Sequence, residues 1–298
     1  MQANKEFHIR PLDAIGAEVL GINLDTDLDN PTFDKIHNLL LEQEVLLFRN
    51  QAIRDEKLVA FARRFGAIQG HPLGKFSPPG YPDILISSNG VKDGQPIGIM
   101  DIGQFWHTDG SYLPTPYMFT LLYGLEIPHD ANGQPLGDTM FLSATSAYDA
   151  LSTDLKHKLE GLLAFHSYDF RYQLRLEKNP NVLSAAKAKE DVKHPIVYKH
   201  PITGKRAIFV NEGYVTQIES MTKQDAEPLL KQLFAHLEKR QFGYRHKWKS
   251  GDLIMWDNIS TQHNAIPDYK LPQLRLMKRV TVTSSPRQSA SVSSRIHT

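Results

Sequence analysis

A histidine and an aspartate two positions apart, His107 and Asp109, most constrain what this chain can fold into. Their neighbours from Gln104 to Tyr112 include aromatic and β-branched residues, which favours a strand, and in a strand residues i and i+2 point the same way. We therefore expect the two side chains to be able to share one ion. The alternative is a half-buried strand whose polar pair is satisfied by hydrogen bonds.

A second histidine-x-acid match illustrates why this spacing alone decides nothing. With 13 histidines and 33 acidic residues in 298 positions, about 1.4 such matches are expected by chance, so a motif needs structural context. His236-Leu237-Glu238 lies in a stretch from Thr222 to Arg240 whose leucines recur at helical spacing. Residues two apart on a helix diverge, so this pair is not expected to chelate an ion.

His263, far downstream, supplies a second imidazole. Two imidazoles and one carboxylate on one face of an ion form the facial triad of non-haem Fe(II) centres, which leaves the opposite positions open. The chain has no cysteine, so thiolate sites and disulfides are excluded and histidine and carboxylate remain as ligands. The three residues predict a redox metal centre. Zinc also suits these ligands, so a hydrolytic site stays open.

The segment from Leu274 to Thr283 alternates as a strand should. Arg275 and Arg279 fall on the same face, four residues apart, with Met277 between them. If that face is solvated, both are ordinary surface charges. If it lines the interior of a barrel, each guanidinium needs a partner and becomes a fork for a carboxylate or sulfonate.

Composition bounds the class of protein. A chain of 298 residues with 41% hydrophobic content can bury one sizeable core, and we expect a single domain over 1–283. The Ser-rich, apolar-poor stretch 284–298 predicts a disordered tail. A net charge of +1 gives no case for nucleic acid or an anionic membrane, and no run is long and apolar enough to span a bilayer. The N-terminus lacks the apolar region of a secretory signal, so we expect a cytoplasmic protein.

Periodicity predicts several further elements. Four helical stretches are expected, at 32–43, 54–65, 144–164 (mostly helical) and 222–240. Tyr244 to Trp248 and Asp252 to Trp256 are expected to form a hairpin around Lys249-Ser250-Gly251. The polar, Lys-rich segment from Tyr168 to Lys193 is either a lid over a pocket or a solvated surface excursion.

Seven motifs occur in order along the chain: His107-Thr-Asp109, Leu136-Gly-Asp-Thr139, His200-Pro-Ile-Thr-Gly204, Phe209-Val-Asn-Glu-Gly213, Trp256-Asp-Asn258, Gln262-His263 and Arg275-Leu-Met-Lys-Arg279. In these motifs the chain resembles the taurine dioxygenase / aryloxyacetate dioxygenase family of Fe(II)- and 2-oxoglutarate-dependent oxygenases, from about Phe7 to about Thr283. The resemblance implies a mainly β fold with flanking helices, a double-stranded β-helix (a cupin-like jelly roll).

The resemblance also implies roles for individual residues. His107, Asp109 and His263 would ligate Fe(II). Arg275 would pair with the distal carboxylate of 2-oxoglutarate, to which Thr139 would also hydrogen-bond. The substrate would be held by three residues: Arg279 on its acidic group, His71 as a second contact and Phe209 as an apolar wall.

Two departures from the taurine-specific pattern matter for the substrate. Gly74 stands where those members carry Tyr, and Gly103 stands where they carry Asn, which argues against taurine itself.

The expected activity is oxidation of a small anionic organic substrate by O2, coupled to conversion of 2-oxoglutarate to succinate and CO2. A sulfonate, sulfate ester, aryloxyalkanoate or acylated amino acid would fit, and the outcome could be hydroxylation, cleavage or desaturation. A homo-oligomer, dimer or tetramer, is expected. Two rivals remain at this point, a zinc-dependent hydrolase on a jelly-roll scaffold and a non-catalytic metal- or ligand-binding module.

Overall fold

The computed structural model describes residues 7–70, 75–100, 103–178 and 190–284. Over these ranges the chain is mostly strand, with six α-helices at its flanks. The expectation of a mainly β protein with flanking helices is therefore confirmed.

The larger of the sheets has eight strands in the order β1-β2-β3-β16-β8-β18-β4, with β5 also pairing with β18. Its pairs are antiparallel except for β2 with β3. Its strands are β1 His8–Pro11, β2 Ala17–Leu20, β3 Val45–Phe48, β4 Ala67–Ile68, β5 Leu85–Ser88, β8 Phe119–Glu126, β16 Leu253–Asp257 and β18 Leu276–Ser284.

A smaller sheet, in the order β15-β9-β17, carries part of the predicted site. Its strands are β9 Thr139–Ser143, β15 Gly243–His246 and β17 Thr261–Ala265. The remaining strands are β6 Val91–Lys92, β7 Gln95–Pro96, β10 Leu163–His166, β11 Val192–Pro195, β12 Val197–Lys199, β13 Arg206–Ile208 and β14 Val215–Ile218. These form the short pairs β6-β7 and β12-β13 and the three-stranded sheet β11-β10-β14.

The helices are α1 Asn30–Gln43, α2 Asp55–Arg63, α3 Ala144–Asp149, α4 Thr153–Leu159, α5 Tyr168–Lys178 and α6 Lys223–Leu237, followed by a 3₁₀ turn at Arg240–Phe242. Thr222 caps α6 by accepting a hydrogen bond from the Asp225 N–H, as expected of a threonine at this position. Pro228 lies inside the first turns of that helix.

Two hydrophobic core clusters lie on opposite faces of the large sheet. One joins the large sheet to the small one and includes Phe141, Trp256 and Met277. The other lies between the large sheet and helices α1 and α2, and includes Val280 and Val282. The face of β18 that carries Met277 therefore points between the two sheets, while its other face packs under the helices.

Three details of the sequence analysis are wrong. Tyr244–Trp248 and Asp252–Trp256 do not form a hairpin, because β15 pairs with β9 while β16 pairs with β3 and β8. The stretch 144–164 breaks between α3 and α4 and ends in strand β10. Ser284, assigned to the tail, is the last residue of β18 and pairs with Ala67. The rest of the expected tail, 285–298, lies outside the described residues.

In the described part of the chain, no helix is both long and apolar enough to cross a bilayer.

Glu44 is a buried carboxyl at the end of α1, 6% exposed. Burial raises its pKa to about 7. The hydrogen bond from Ser143 lowers the pKa in part, and repulsion from Asp257 raises it further. The folded state therefore binds this proton more tightly than the unfolded chain, for which the ordinary pKa is 4.5. By linkage, the stability associated with the protonated carboxyl is complete below pH 4.5 and is lost as pH rises through about 7.

We predict that Glu44→Gln is more stable than the wild type at pH 8 and about equal to it at pH 4.5. The gap between 4.5 and about 7 corresponds to a difference of about 3 kcal/mol at most. Urea denaturation of the metal-free protein at both pH values measures this. Glu42→Gln, an exposed neighbour on α1, is the control and should lack the pH-dependent gain. An equal response in both variants would contradict the prediction.

Candidate metal centre and its surroundings

His107 and His263 are brought together by the backbone of the small sheet. His263 lies on β17 opposite Phe141 of β9. His107 forms an isolated antiparallel bridge with His263, in which each backbone N–H donates to the other residue's carbonyl at 3.1 and 3.0 Å. The bridge fixes two distant parts of the chain side by side.

Asp109 reaches the same place by a turn. The strand expected from Gln104 to Tyr112 is wrong, because beyond the single bridge at His107 the chain turns at Asp109-Gly110. Gly110 has φ +72°, and a Cβ there would lie 2.7 Å from the ring of Tyr117. The turn thus depends on glycine. The expected convergence of His107 and Asp109 is nevertheless observed.

The three side chains form a buried cluster of possible metal-ligand atoms. One donor atom from each of His107, Asp109 and His263 lies within 4.8 Å of the others. The Oδ1 atom of Asp109 is 3.5 Å from Nε2 of His107 and 3.9 Å from Nε2 of His263. In the described ranges this is the one cluster of three such residues.

The protonation states of the cluster fit a divalent cation. Nδ1 of His107 lies 2.8 Å from the carbonyl of Phe105, so Nε2 is the ring nitrogen turned toward Asp109. Burial, and then the proximity of His107, lowers the pKa of His263 well below its usual range, so this ring is neutral. Burial opposes ionisation of Asp109, but attraction by the Arg279 guanidinium holds its pKa well below the ordinary value.

A chain of polar side chains orients the second oxygen of Asp109. Its Oδ2 receives hydrogen bonds from Arg279 and from the hydroxyl of Thr120, both at 2.8 Å. Asn258 donates to the Thr120 oxygen at 3.0 Å and accepts from the Trp256 indole at 2.8 Å. No sequence pattern indicated a role for Thr120. Asn258, in contrast, belongs to the Trp256-Asp257-Asn258 motif, which could have pointed to it.

Arg275 carries a buried guanidinium and lies directly before β18, the strand that carries Arg279. It is 6% exposed, and among the described residues no carboxylate oxygen lies within 4 Å of its nitrogens. Tyr269 is its aromatic neighbour, with the ring centroid 5.7 Å from the guanidinium carbon. Burial lowers the pKa of Arg275, with Tyr269 opposing the shift. A buried cation of this kind is suited to an incoming anion.

Thr139 shares a face of the small sheet with His263. The pairs Thr139–Ala265 and Phe141–His263 lie two residues apart on β9 and β17, so their side chains point the same way. The Thr139 oxygen accepts from the Trp248 indole at 3.0 Å, which leaves its hydroxyl proton available to donate.

The three residues expected to contact substrate have different outcomes. Arg279 is 16% exposed, and its terminal nitrogen is bonded to Asp109. Phe209 is buried and packs against the rings of His166, His194 and Tyr198 at 4.7 to 5.6 Å. His71 lies outside the described residues. Their roles toward a substrate stay predictions.

Aromatic side chains that the sequence analysis did not single out surround the cluster. Tyr214 lies against Phe105, Tyr112 and the ring of His107, with centroid separations of 5.8, 4.9 and 6.3 Å. Tyr168, the first residue of α5, contacts Tyr112 at 4.8 Å. We call Phe105, Tyr112, Tyr168 and Tyr214 the aromatic wall. Its members come from three separate segments, and no local pattern indicated that they converge.

Gly103 lies directly beside the ring of His107. A Cβ at this position would be 2.7 Å from Cε1 and 3.3 Å from Nε2 of that ring, and the residue has φ +72°. Glycine at position 103 thus leaves space beside Cε1 and Nε2 of the His107 ring. The side chain that taurine-specific members carry here would occupy that space.

We predict that Thr120→Val weakens divalent metal binding about 10- to 100-fold, because residues that orient a ligand typically contribute this much. Titration with Mn(II) at equilibrium measures the affinity. Thr261→Val is the matched control, since its hydroxyl is also buried but donates to the Asp257 carbonyl. Equal affinity in the wild type and the Thr120 variant would show that the hydroxyl does not position Asp109.

Comparison with known proteins agrees with this geometry. Residues 8–281 match the family described as "Taurine catabolism dioxygenase TauD, TfdA family". The chain is 31% identical to the alpha-ketoglutarate-dependent 2,4-dichlorophenoxyacetate dioxygenase of Cupriavidus pinatubonensis, covering 92% of this chain and 95% of that protein. It is also 31% identical to an alkylsulfatase of Acinetobacter baylyi, covering 93% and 85%.

Among solved structures, a taurine dioxygenase from Burkholderia xenovorans superposes with a TM-score of 0.76 at 28% identity, covering 94% of this chain and 93% of that one. A family match over most of the chain, relatives of this identity and a shared fold lead to one conclusion. The chain belongs to the TauD/TfdA family of dioxygenases.

Proposed function

We propose that this protein oxidises a small anionic organic substrate at an Fe(II) centre held by His107, Asp109 and His263. The protein is a 2-oxoglutarate-dependent dioxygenase, an oxidoreductase that uses Fe(II), 2-oxoglutarate and O2. The observation that carries the residue assignment is the buried cluster of two imidazoles and one carboxylate within 4.8 Å. This donor set is that of non-haem Fe(II) oxygenases.

We assign the fold to the double-stranded β-helix, as one domain through residue 284, the end of β18. Support comes from the shared core between the large and small sheets and from the likeness to a taurine dioxygenase. In this arrangement His263 lies on the small sheet with His107 bridged to it, and Arg279 reaches Asp109 from the large sheet.

Arg275 and Thr139 form the cosubstrate site in this proposal. The buried guanidinium binds the distal carboxylate of 2-oxoglutarate in a bidentate manner, and the Thr139 hydroxyl donates a second hydrogen bond. Because Thr139 lies on the same face as His263, a molecule held there extends toward the metal ligands.

A metal held by His107, Asp109 and His263 would supply oxidising chemistry: 2-oxoglutarate would take one oxygen atom of O2 and become succinate and CO2, and the other oxygen atom would serve to oxidise a C–H bond of the substrate. The side chains of this protein set the geometry. Arg279 and Thr120 hold Oδ2 of Asp109, so that only Oδ1 faces the ligand cluster. The aromatic wall excludes water from one side, and binding at a fixed position selects which C–H bond reacts.

The substrate class follows from charge and from the relatives. Two of the relatives are a 2,4-dichlorophenoxyacetate dioxygenase and an alkylsulfatase. We infer a sulfonate, sulfate ester, aryloxyalkanoate or acylated amino acid as the substrate here, with Arg279, His71 and Phe209 as its contacts. Since Arg279 already bonds Asp109, it would serve both groups through different nitrogens. A homo-oligomer and a cytoplasmic location belong to the same proposal.

A zinc-dependent hydrolase is the alternative function, because the same ligands suit zinc. The family match to dioxygenases speaks against it. A buried cation placed for a dicarboxylate also has no use in a hydrolase.

We predict that the purified protein decarboxylates 2-oxoglutarate only with Fe(II) and O2, and that His263→Ala abolishes this. Losing one of three protein ligands removes the facial arrangement. The control is His236→Ala on α6, from the second histidine-x-acid match; the His236 ring bonds the backbone carbonyl of Ala147 on α3. Succinate formation is the measurement. Full turnover by the His263 variant would remove that residue from the metal site.

We predict that Arg275→Ala raises the KM for 2-oxoglutarate by about 30-fold to several thousand-fold, because truncating a buried charge pair costs about 2 to 5 kcal/mol. Arg275→Lys should recover part of the affinity, since an ammonium lacks the planar fork. Arg206→Ala, at an exposed strand position, is the control. An unchanged KM in the Arg275→Ala variant would assign the cosubstrate to another site.

A further inference from the structure

Both backbone polar groups of Arg275 are bound by side chains from a distant part of the chain. Its N–H donates to Oδ1 of Asn89 at 2.8 Å, and its carbonyl accepts a hydrogen bond from the Ser88 hydroxyl, also at 2.8 Å. Ser88 is the last residue of β5, and Asn89 follows it. We call Ser88 and Asn89 the backbone clamp. The clamp holds Arg275 on both sides, directly before the chain enters β18.

The amide of Asn89 makes a second hydrogen bond to the same loop. Its Nδ2 donates to the carbonyl of Gln273 at 2.9 Å while its Oδ1 accepts from Arg275. One backbone group needs a donor and the other needs an acceptor, so the amide satisfies both in one orientation. A carboxylate would only accept, and alanine would offer neither group. Asn89 therefore fixes the shape of residues 273–275.

The clamp is itself held in place by the strand and the loop that flank it. Ser88 is 3% exposed and pairs with Leu276 across β5 and β18. Its hydroxyl accepts a hydrogen bond from the N–H of Gly90 at 2.9 Å. A Cβ on Gly90 would lie 2.8 Å from the side chain of Leu274, so the two segments are in close contact. The clamp thus provides a fixed reference point for the backbone of Arg275.

The side chain of Arg275 lies in a narrow space beyond this point. A Cβ on Gly137 would be 2.9 Å from Nε and 3.0 Å from Cδ of Arg275, and 3.0 Å from Cε1 of Tyr269. The arginine stem therefore packs directly on the Gly137 backbone. Because closely packed interiors transmit displacements, a shift of the backbone at residue 275 would move the guanidinium as well.

We propose that Asn89 and Ser88 are positioning residues for the cosubstrate, which orient the guanidinium of Arg275 toward the distal carboxylate of 2-oxoglutarate. The inference rests on the proposed function and deepens it. Both residues act through Arg275 and not by contact with 2-oxoglutarate. Bidentate pairing depends on orientation as well as on distance, and a preorganised group loses less freedom when its ligand binds. Loosening the clamp therefore weakens cosubstrate binding and leaves the metal ligands in place.

The test measures the equilibrium Kd of 2-oxoglutarate by calorimetric titration of the Mn(II)-loaded protein, which needs no turnover. Asn89→Ala and Ser88→Ala open the clamp, and Arg275→Ala removes the guanidinium. Asn89→Ala is also combined with Arg275→Lys. Titration with Mn(II) gives the metal affinity of each variant, and thermal denaturation verifies that each is folded.

Two matched controls remove the same kinds of hydrogen bond elsewhere. Asn23→Ala is the control for Asn89, because Oδ1 of Asn23 also accepts from a backbone N–H, that of Asp25, at 2.9 Å. Ser250→Ala is the control for Ser88, because its hydroxyl also donates to a backbone carbonyl, that of Leu125, at 2.7 Å. Both controls should bind 2-oxoglutarate and Mn(II) as the wild type does.

Asn89→Ala should raise the Kd of 2-oxoglutarate about 10-fold, which corresponds to about 1.4 kcal/mol and is of the order of one or two hydrogen bonds. Ser88→Ala should act in the same direction, and Arg275→Ala should have the larger effect. In the Arg275→Lys background, Asn89→Ala should change the Kd less than about threefold, because an ammonium has no planar fork to orient. Mn(II) affinity should stay at the wild-type value in both clamp variants.

Several outcomes would overturn the inference. An unchanged Kd in Asn89→Ala, together with a weakened Arg275→Ala, would reject the clamp and leave the proposed cosubstrate site intact. Equal losses from Asn89→Ala in the wild-type and Arg275→Lys backgrounds would show that Asn89 supports the fold in general. A parallel loss of Mn(II) affinity would place its effect at the metal ligands. An unchanged Kd in Arg275→Ala would instead reject the cosubstrate assignment on which the inference rests.

Discussion

The buried ion pair between Asp109 and Arg279 is the interaction on which the rest of the site depends. It connects the turn after His107 to β18 of the large sheet, and so fixes the small sheet's ligands relative to the large sheet. A carboxylate this deeply buried is stable as an anion only if its partner is present. The pair also decides how the Asp109 carboxylate is oriented: Oδ2 is hydrogen-bonded to Arg279 and Thr120, and Oδ1 faces the two histidine rings. The ion pair thus sets both the orientation and the negative charge of Asp109.

How far the sequence predicts this molecule depends on whether the signal is local. The alternation around Met277 predicted that Arg275 and Arg279 share one face and left open whether that face is solvated; the structure buries it. The strand expected around His107 failed because one glycine, Gly110, redirects the chain after a single bridge. The hairpin near Gly251 failed because adjacent strands joined different sheets, a choice made by distant partners.

Thr120 was missed for a related reason. It acts through a contact with a residue in another element, and it belongs to no motif. Thr120 matters because β8 places its hydroxyl within hydrogen-bonding distance of Asp109. The convergence of His107, Asp109 and His263 was predictable because few residue types can bind such a metal, whereas many residue types can support or flank such a site.

The backbone bridge between His107 and His263 has a consequence for the folding of the molecule. A single pair of backbone hydrogen bonds holds these two residues together, and a bound ion would join them a second time through their side chains. Such an ion would link two residues that are roughly 150 positions apart in the chain. Since it would bind only where both residues have already met, its binding energy would add to the stability of the fold. Residues arranged to hold a metal would in this way also hold two distant parts of the chain together.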